Sequence, residues 1–395
     1  MLQAERQPLS LAAIVWGHMR KINSISSNLL LISAATFVLC GCSGYTTDEL
    51  LNTDFLVKDL TPVELIAPTG KSVNTKNPGF SWSKRNGVSR YLVEVSTSSD
   101  FQSPVLSKYV RDTSYTASSA DGLDAVSYYW RIVADYGRQK VPSEAIFFHV
   151  VDDTIVYVNG AVTSTEQVGN KALPFQSIQT AIENAYIRRN GVATVAMNVQ
   201  ITGGTYSEEI KLREGVSLKG GFDPVTWSRN TTAYETILTN TVKGGETITP
   251  QLTWSTVVDG FTFNPTGLNV IYLYAASPTI SNNKINGGSY PIYNSYGSNG
   301  LIRDNIINGT PVGTSSLAYA IQNLASDPTI TNNVIYMRTT STSTTGIYNS
   351  NGANPTITNN TISMCSGCSA SSSIAINNSA SSPIIRNNWI HGGSG

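Results

Sequence analysis

Between Thr241 and Gly395 the only carboxylates are Glu246, Asp259, Asp304 and Asp327, set against Lys243, Lys284, Arg303, Arg338 and Arg386. Hydrolysis of a glycosidic bond needs two carboxyls about 5–10 Å apart, and a calcium site needs roughly six to eight oxygens, several of them from carboxylates. This sparse set predicts neither a carboxylate pair nor a cation cage. His391, the one histidine of that stretch, reads as a surface residue. Cys365 and Cys368 have a spacing that suits redox chemistry or half of a zinc site, but no second Cys or His pair accompanies them. A local disulfide that pins a loop is the expected state. Tyr293, Tyr296, Tyr336 and Tyr348 sit among Ser-, Thr- and Gly-rich segments around residues 308–318, 336–345 and 363–373. Together they would form an uncharged lateral surface able to hydrogen-bond glycans. No catalytic residue, cofactor or metal is expected.

The elements that would position these residues come from a repeat. Pro278-Thr-Ile-Ser-Asn-Asn-Lys-Ile285 recurs as Gly300–Ile307, Pro328–Ile335, Pro355–Ile362 and Pro383–Ile390, with the isoleucines at 280, 302, 330, 357 and 385 spaced 22, 28, 27 and 28 apart. A degenerate copy, Thr256–Phe263, precedes them. A second element, Ile-x-Asn at Ile292, Ile321, Ile347 and Ile376, is followed by the next copy of the first after 10, 9, 10 and 9 residues. The distance from the first element to the second instead runs 12, 19, 17 and 19, so every insertion falls at one corner. Stacked turns fix strand spacing while a corner loop is free to grow, which predicts a solenoid. Asn283, Asn305, Asn333, Asn360 and Asn388 are expected to stack as a structural ladder at one corner, where asparagine tolerates the left-handed conformation of a tight turn.

Upstream, Ile155–Val158 reads as a strand, and Ile178, Ala181, Ile182, Ala185 and Tyr186 fall at helical spacing within Phe175–Arg189. With Val199–Tyr206 and Val216–Phe222 this run resembles the N-terminal part of the pectate-lyase-like superfamily, in which a short helix covers the open end of the first coil. The resemblance implies an all-β fold, a right-handed parallel β-helix over residues 153–395. Many relatives of that fold cleave acidic polysaccharides with clustered aspartates, a pattern this sequence lacks. The last rung runs straight into the C-terminus without a covering segment, which predicts further coil downstream.

From residue 60 to 151 alternating apolar stretches such as Tyr91–Val95 and Tyr128–Ile132 are separated by turn signals. With a buried early Trp82 and the pair Tyr128 and Trp130, this segment resembles a fibronectin type III or immunoglobulin-like β-sandwich without a disulfide. At the start, Arg20 and Lys21 precede an apolar run, Leu29–Val38, that is too short to span a membrane. The run ends Leu39-Cys40-Gly41-Cys42, which resembles the bacterial lipobox and implies a signal peptide over residues 1–42 with lipidation at Cys42. Met19 raises the prospect that residues 1–18 come from a wrongly assigned start. Residues 43–59 read as a tether, and Ser43 after the lipid cysteine implies the outer membrane.

Only 13% of residues are charged, and 26 basic residues balance 26 acidic ones, so no global field attracts nucleic acid. The expectation is a lipid-anchored cell-envelope protein, periplasmic or surface-exposed, that displays a non-catalytic β-helix for adhesion or for glycan or ligand binding, with glycans or host or matrix surface proteins as partners. The rival expectation is a polysaccharide lyase or glycoside hydrolase with unrecognised or downstream catalytic rungs.

Overall fold

Isoleucine and valine recur at fixed spacing because each must point inward on a coil whose turns pair edge to edge. A computed structural model describes residues 61–137, 139–189, 195–245, 251–310, 317–337, 343–364 and 372–392. Among these residues, strands from Ile155 onward form three parallel sheets of nine, eight and seven strands, each complete coil giving one strand to each sheet. In the nine-stranded sheet Val156, Val199, Leu218, Val258, Ile280, Ile302, Ile330, Ile357 and Ile385 stand in one register column. Leu238, Phe263, Ile285, Ile307, Ile335 and Ile362 do the same in the eight-stranded sheet. Ile210, Val242, Ile271, Ile292, Ile321 and Ile347 form the third column. Nearly all of these side chains are buried in one continuous core. Each contributes roughly 1.5–3 kcal/mol of transfer free energy, but only once a neighbouring rung covers it.

The helix Ile178–Arg188 closes the first coil by burying Ile178, Ala181, Ile182 and Ala185 in the core, with Tyr186 packed against it. Its start is fixed twice. The Ser177 hydroxyl accepts from the Thr180 amide, and the Glu208 carboxylate accepts from the amides of Ile178 and Gln179 at 2.6 and 3.0 Å. An anion at a helix N-terminus is favoured by the helix dipole.

The corner between the nine- and eight-stranded sheets carries the asparagine ladder, with one correction. In each Asn-Asn pair the left-handed residue is the first: Asn282, Asp304, Asn332, Asn359 and Asn387 have φ between 53 and 59°. The second residue does the bonding. Asn333 Nδ2 donates to Ile302 O, Thr331 O and Asn360 Oδ1, each at 3.0 Å, while its Oδ1 accepts from the amide and side chain of Asn305. The same pattern links Asn283 to Asn305 and Asn360 to Asn388. A second ladder, Asn294–Asn323–Asn349–Asn378, buried except at Asn378, runs through the Ile-x-Asn elements at 2.7–2.8 Å.

Residues 61–151 fold as two sheets. Leu65–Ala67, Gly79–Trp82 and Ser114–Thr116 form an antiparallel three-stranded sheet. Opposite it lie Leu106–Val110, Arg90–Ser96, Ser127–Asp135 and Ile146–Val150 in that order, with Lys140–Pro142 and Val73–Asn74 at the margins. Phe80 packs on Trp130 and edge-on to Phe148, and Trp82 packs on Tyr91, so these aromatics are core. The Trp130 indole is satisfied by Pro68 O at 3.1 Å. The sequence pattern missed Val73–Asn74, Ser114–Thr116 and Lys140–Pro142, which are too short to show alternation.

The sandwich is bonded to the first coil. Ala125 packs with Tyr157, Phe222 and Trp227, Asn170 Nδ2 donates to Val150 O, and Lys171 and Lys76 pair with Asp124 and Asp152 at 2.7 Å.

Candidate functional site

The outward face of the seven-stranded sheet gathers an aromatic strip. Because side chains alternate along a strand, the middle residue of each Ile-x-Asn element must point to solvent. The outward register column reads Lys211, Lys243, Tyr272, Tyr293, Gln322, Tyr348 and Asn377. A second outward row adds Tyr290 and Tyr319. The rings touch in sequence: Tyr272–Tyr293 at 5.4 Å, Tyr293–Tyr290 at 6.2 Å, Tyr290–Tyr319 at 5.8 Å and Tyr319–Tyr348 at 4.6 Å, the last pair nearly parallel. Tyr274 and Tyr296 make a further pair, 4.8 Å apart, at the edge of the sheet. Rungs repeat about every 4.8 Å, so the strip extends along the coil axis.

Its electrostatics are those of a neutral hydrogen-bonding face. Burial, and then the neighbouring Tyr272, Tyr296 and Tyr290 phenols, push the Tyr293 hydroxyl above its ordinary range. Burial likewise raises Tyr319, with Tyr348 and Tyr290 adding to it. Both phenols are therefore protonated donors at neutral pH. Among the described residues charge enters at one end, where Lys243 pairs with Glu209 at 2.8 Å beside an open groove of about 490 Å³ lined by Thr241, Leu268, Asn269 and Tyr272.

Of the four tyrosines singled out in the sequence, Tyr293 and Tyr348 share the strip and Tyr296 sits at its margin. Tyr336 does not join them; it lies on Val334–Met337 in the eight-stranded sheet, in register with Asn308 and Ser363. Sequence reasoning missed Tyr272, Tyr290 and Tyr319. The signal for Tyr272 was present, since Ile271-Tyr-Leu273 is the Ile-x-Asn element of the preceding rung with leucine replacing asparagine. Cys42, Cys365, Cys368, Glu246, Arg338 and most of the three corner loops lie outside the described residues.

The described carboxylates of the later coils are engaged at corners. Asp259 Oδ2 accepts from Ser281 Oγ at 2.7 Å and Asn282 Nδ2 at 2.6 Å, and its Oδ1 takes the Arg229 guanidinium. Asp304 holds Arg303 at 2.5 Å and the Asn332 side chain. Asp327 accepts from the Asn354 amide at 2.6 Å. Asp259 is in register with Ser281 and then Arg303, two rungs away and one position short of Asp304. Among the described residues no group of three or more His, Cys, Asp or Glu is arranged to hold a metal ion.

Residues 248–395 match the family model described as "Right handed beta helix region". With the three parallel sheets, this match makes the C-terminal part of the chain a right-handed parallel β-helix. No curated protein and no solved structure matches the chain.

Proposed function

We propose that this is a lipid-anchored envelope protein, set in the outer membrane through Cys42, that carries a glycan-binding β-helix beyond a fibronectin-like spacer and serves adhesion. The observation that carries the reading is the tyrosine strip: Tyr272, Tyr293, Tyr290, Tyr319 and Tyr348 in successive ring contact along one outward face of the coil. Sugars stack their C–H faces on such rings and exchange hydrogen bonds with phenol hydroxyls, amides and neighbouring waters. The described carboxylates are spent on corner bonds, which favours binding over acid–base cleavage.

The test is titration of the full chain against a panel of neutral and uronic-acid oligosaccharides. Tyr293→Ala with Tyr348→Ala is expected to weaken binding at least tenfold, since central aromatic anchors dominate such surfaces. Unaltered affinity would remove the strip from the reading. New unsaturated or reducing ends on the oligosaccharides would replace it with the lyase or hydrolase reading.

The anchor has its own test. In cells fed a labelled fatty acid, the wild-type chain is expected to incorporate label and sediment with membranes, and Cys42→Ser to lose both properties. A wild-type chain that stays unlabelled sinks the lipoprotein assignment.

A further inference from the structure

Trp254 is 58% exposed, which is unusual for the largest apolar side chain. Its loop is nonetheless held firmly. Leu252 is buried in the core, and the Glu214 carboxylate accepts from the Thr253 amide and hydroxyl and the Ser255 hydroxyl, each at 2.7 Å, and from Thr256 Oγ1 at 3.0 Å. Burial works against the Glu214 charge, but these donors outweigh it and keep the carboxyl below its ordinary range. The indole itself is fixed: Nε1 donates to Asn299 O at 3.1 Å.

That bond sets the direction of the ring. Ser277 N donates to Leu252 O at 3.0 Å and Asn299 N donates to Ser277 Oγ at 3.0 Å, so the Trp254 loop, Ser277 and Asn299 occupy the same corner of three successive rungs. An indole that reaches from the first to the third must lie along the coil axis. Beside it opens a cleft of about 480 Å³ lined by Gln251, Thr253, Trp254, Ser255, Ser277 and Asn299. None of these lining residues is charged, and the two acidic residues bonded to them, Glu214 and Asp327, have carboxylates engaged by protein donors. Among the described residues that line the cleft, an anion finds no counter-charge. The Gln251 side chain also donates to Ala275 O, next to Tyr274 of the Tyr274–Tyr296 pair, so the cleft adjoins the margin of the tyrosine strip.

We propose that Trp254 and this cleft form a subsite for one neutral hexopyranose unit of a glycan chain. The C–H face of the sugar lies on the indole, and its hydroxyls bond to Gln251 Oε1, the Ser277 hydroxyl and Asn299 Nδ2. The ligand class rests on the glycan-binding reading of the strip; the residues are distinct from it, so the two can fail separately.

The full chain would be titrated calorimetrically with cellohexaose, laminarihexaose and mannohexaose, with hexagalacturonate as the anionic comparator. Trp254→Ala is expected to weaken binding of a neutral hexaose about tenfold, with Trp254→Phe retaining most of the affinity. The fluorescence difference between wild type and Trp254→Phe isolates this indole, and the bound hexaose is expected to shield it from iodide. Loss of affinity in Trp254→Ala alone, with Tyr293→Ala/Tyr348→Ala unaffected, would keep the subsite and discard the strip. Loss in the tyrosine variant alone, with no shielding of Trp254, overturns the subsite and leaves the strip standing. Binding of hexagalacturonate in preference to every neutral hexaose, or of none of the four, overturns the subsite.

Discussion

Asn333→Ala is expected to destabilise the β-helix by about 3–5 kcal/mol, while Asn332→Gly, one residue away, changes stability by less than about 0.5 kcal/mol. Both residues belong to the same repeated pair, yet they do different work. Asn333 is 1% exposed and its side chain makes five hydrogen bonds, three given and two received. Truncation strands the Asn305 backbone amide inside the coil and takes one bond each from Asn305 Nδ2, Asn360 Oδ1, Ile302 O and Thr331 O. Each buried group left without a partner costs about 1–3 kcal/mol. Asn332 is exposed, holds φ at 56°, and makes a side-chain contact only to Asp304. Glycine accepts that backbone without strain. Because a solenoid couples only neighbouring rungs, the Asn333 loss should appear first as faster amide exchange in the flanking rungs. Urea denaturation of the two variants, followed by exchange at Asn305 and Asn360, measures it. Equal effects from both substitutions, or a loss below about 1 kcal/mol for Asn333→Ala, would show that the ladder is not holding the rungs in register.

The repeat made the coil legible because the physics that defines a rung writes itself into the sequence at a fixed distance. Ile280, Ile302, Ile330 and Ile357 must face inward, and the corner before each of them keeps nearly the same length, so both signals survive. The amphipathic stripe of Ile178, Ala181, Ile182 and Ala185 is visible for the same reason. What the sequence hides is adjacency across unequal insertions. Tyr290 and Tyr319 are 29 residues apart and Tyr319 and Tyr348 another 29, yet the rings touch because the extra residues leave at a corner and the chain returns to the next strand of the same sheet. Tyr336, equally aromatic and close in sequence, went to another sheet because strand membership follows the rung phase and not proximity along the chain. The division of labour within each Asn-Asn pair was hidden too: the sequence shows two asparagines, and only the backbone dihedrals separate the one that turns from the one that bonds. Trp254 carried no repeat signal, since its loop is an insertion unique to one rung.

Arg229→Ala is expected to cost about 3 kcal/mol at neutral pH, and that cost should shrink as the pH is lowered. Asp259 is 8% exposed, and its carboxylate is held by Arg229, Asn282 and Ser281. Burial opposes its charge, but Arg229 and then the Asn282 and Ser281 donors outweigh burial and keep the carboxyl below its ordinary range. A depressed folded-state pKa stabilises the wild type above the unfolded value of about 3.9, and that contribution is lost as pH falls through the lower folded value. Without the guanidinium the carboxylate keeps its burial and loses its counter-ion, and removing one partner of such a pair leaves an uncompensated charge worth about 3–5 kcal/mol. Its pKa must rise, so the variant recovers stability relative to wild type as Asp259 takes up a proton. Adding Asp259→Asn to Arg229→Ala should restore more than about 1 kcal/mol at pH 7, because a neutral amide needs no cation. Denaturation of the four proteins at pH 7 and pH 4.5 closes the cycle. A pH-independent penalty, or one below about 1 kcal/mol, would mean that Asp259 is not committed to the corner. Asp259 would then be a carboxylate free for chemistry, and the preference for binding over acid–base cleavage would weaken.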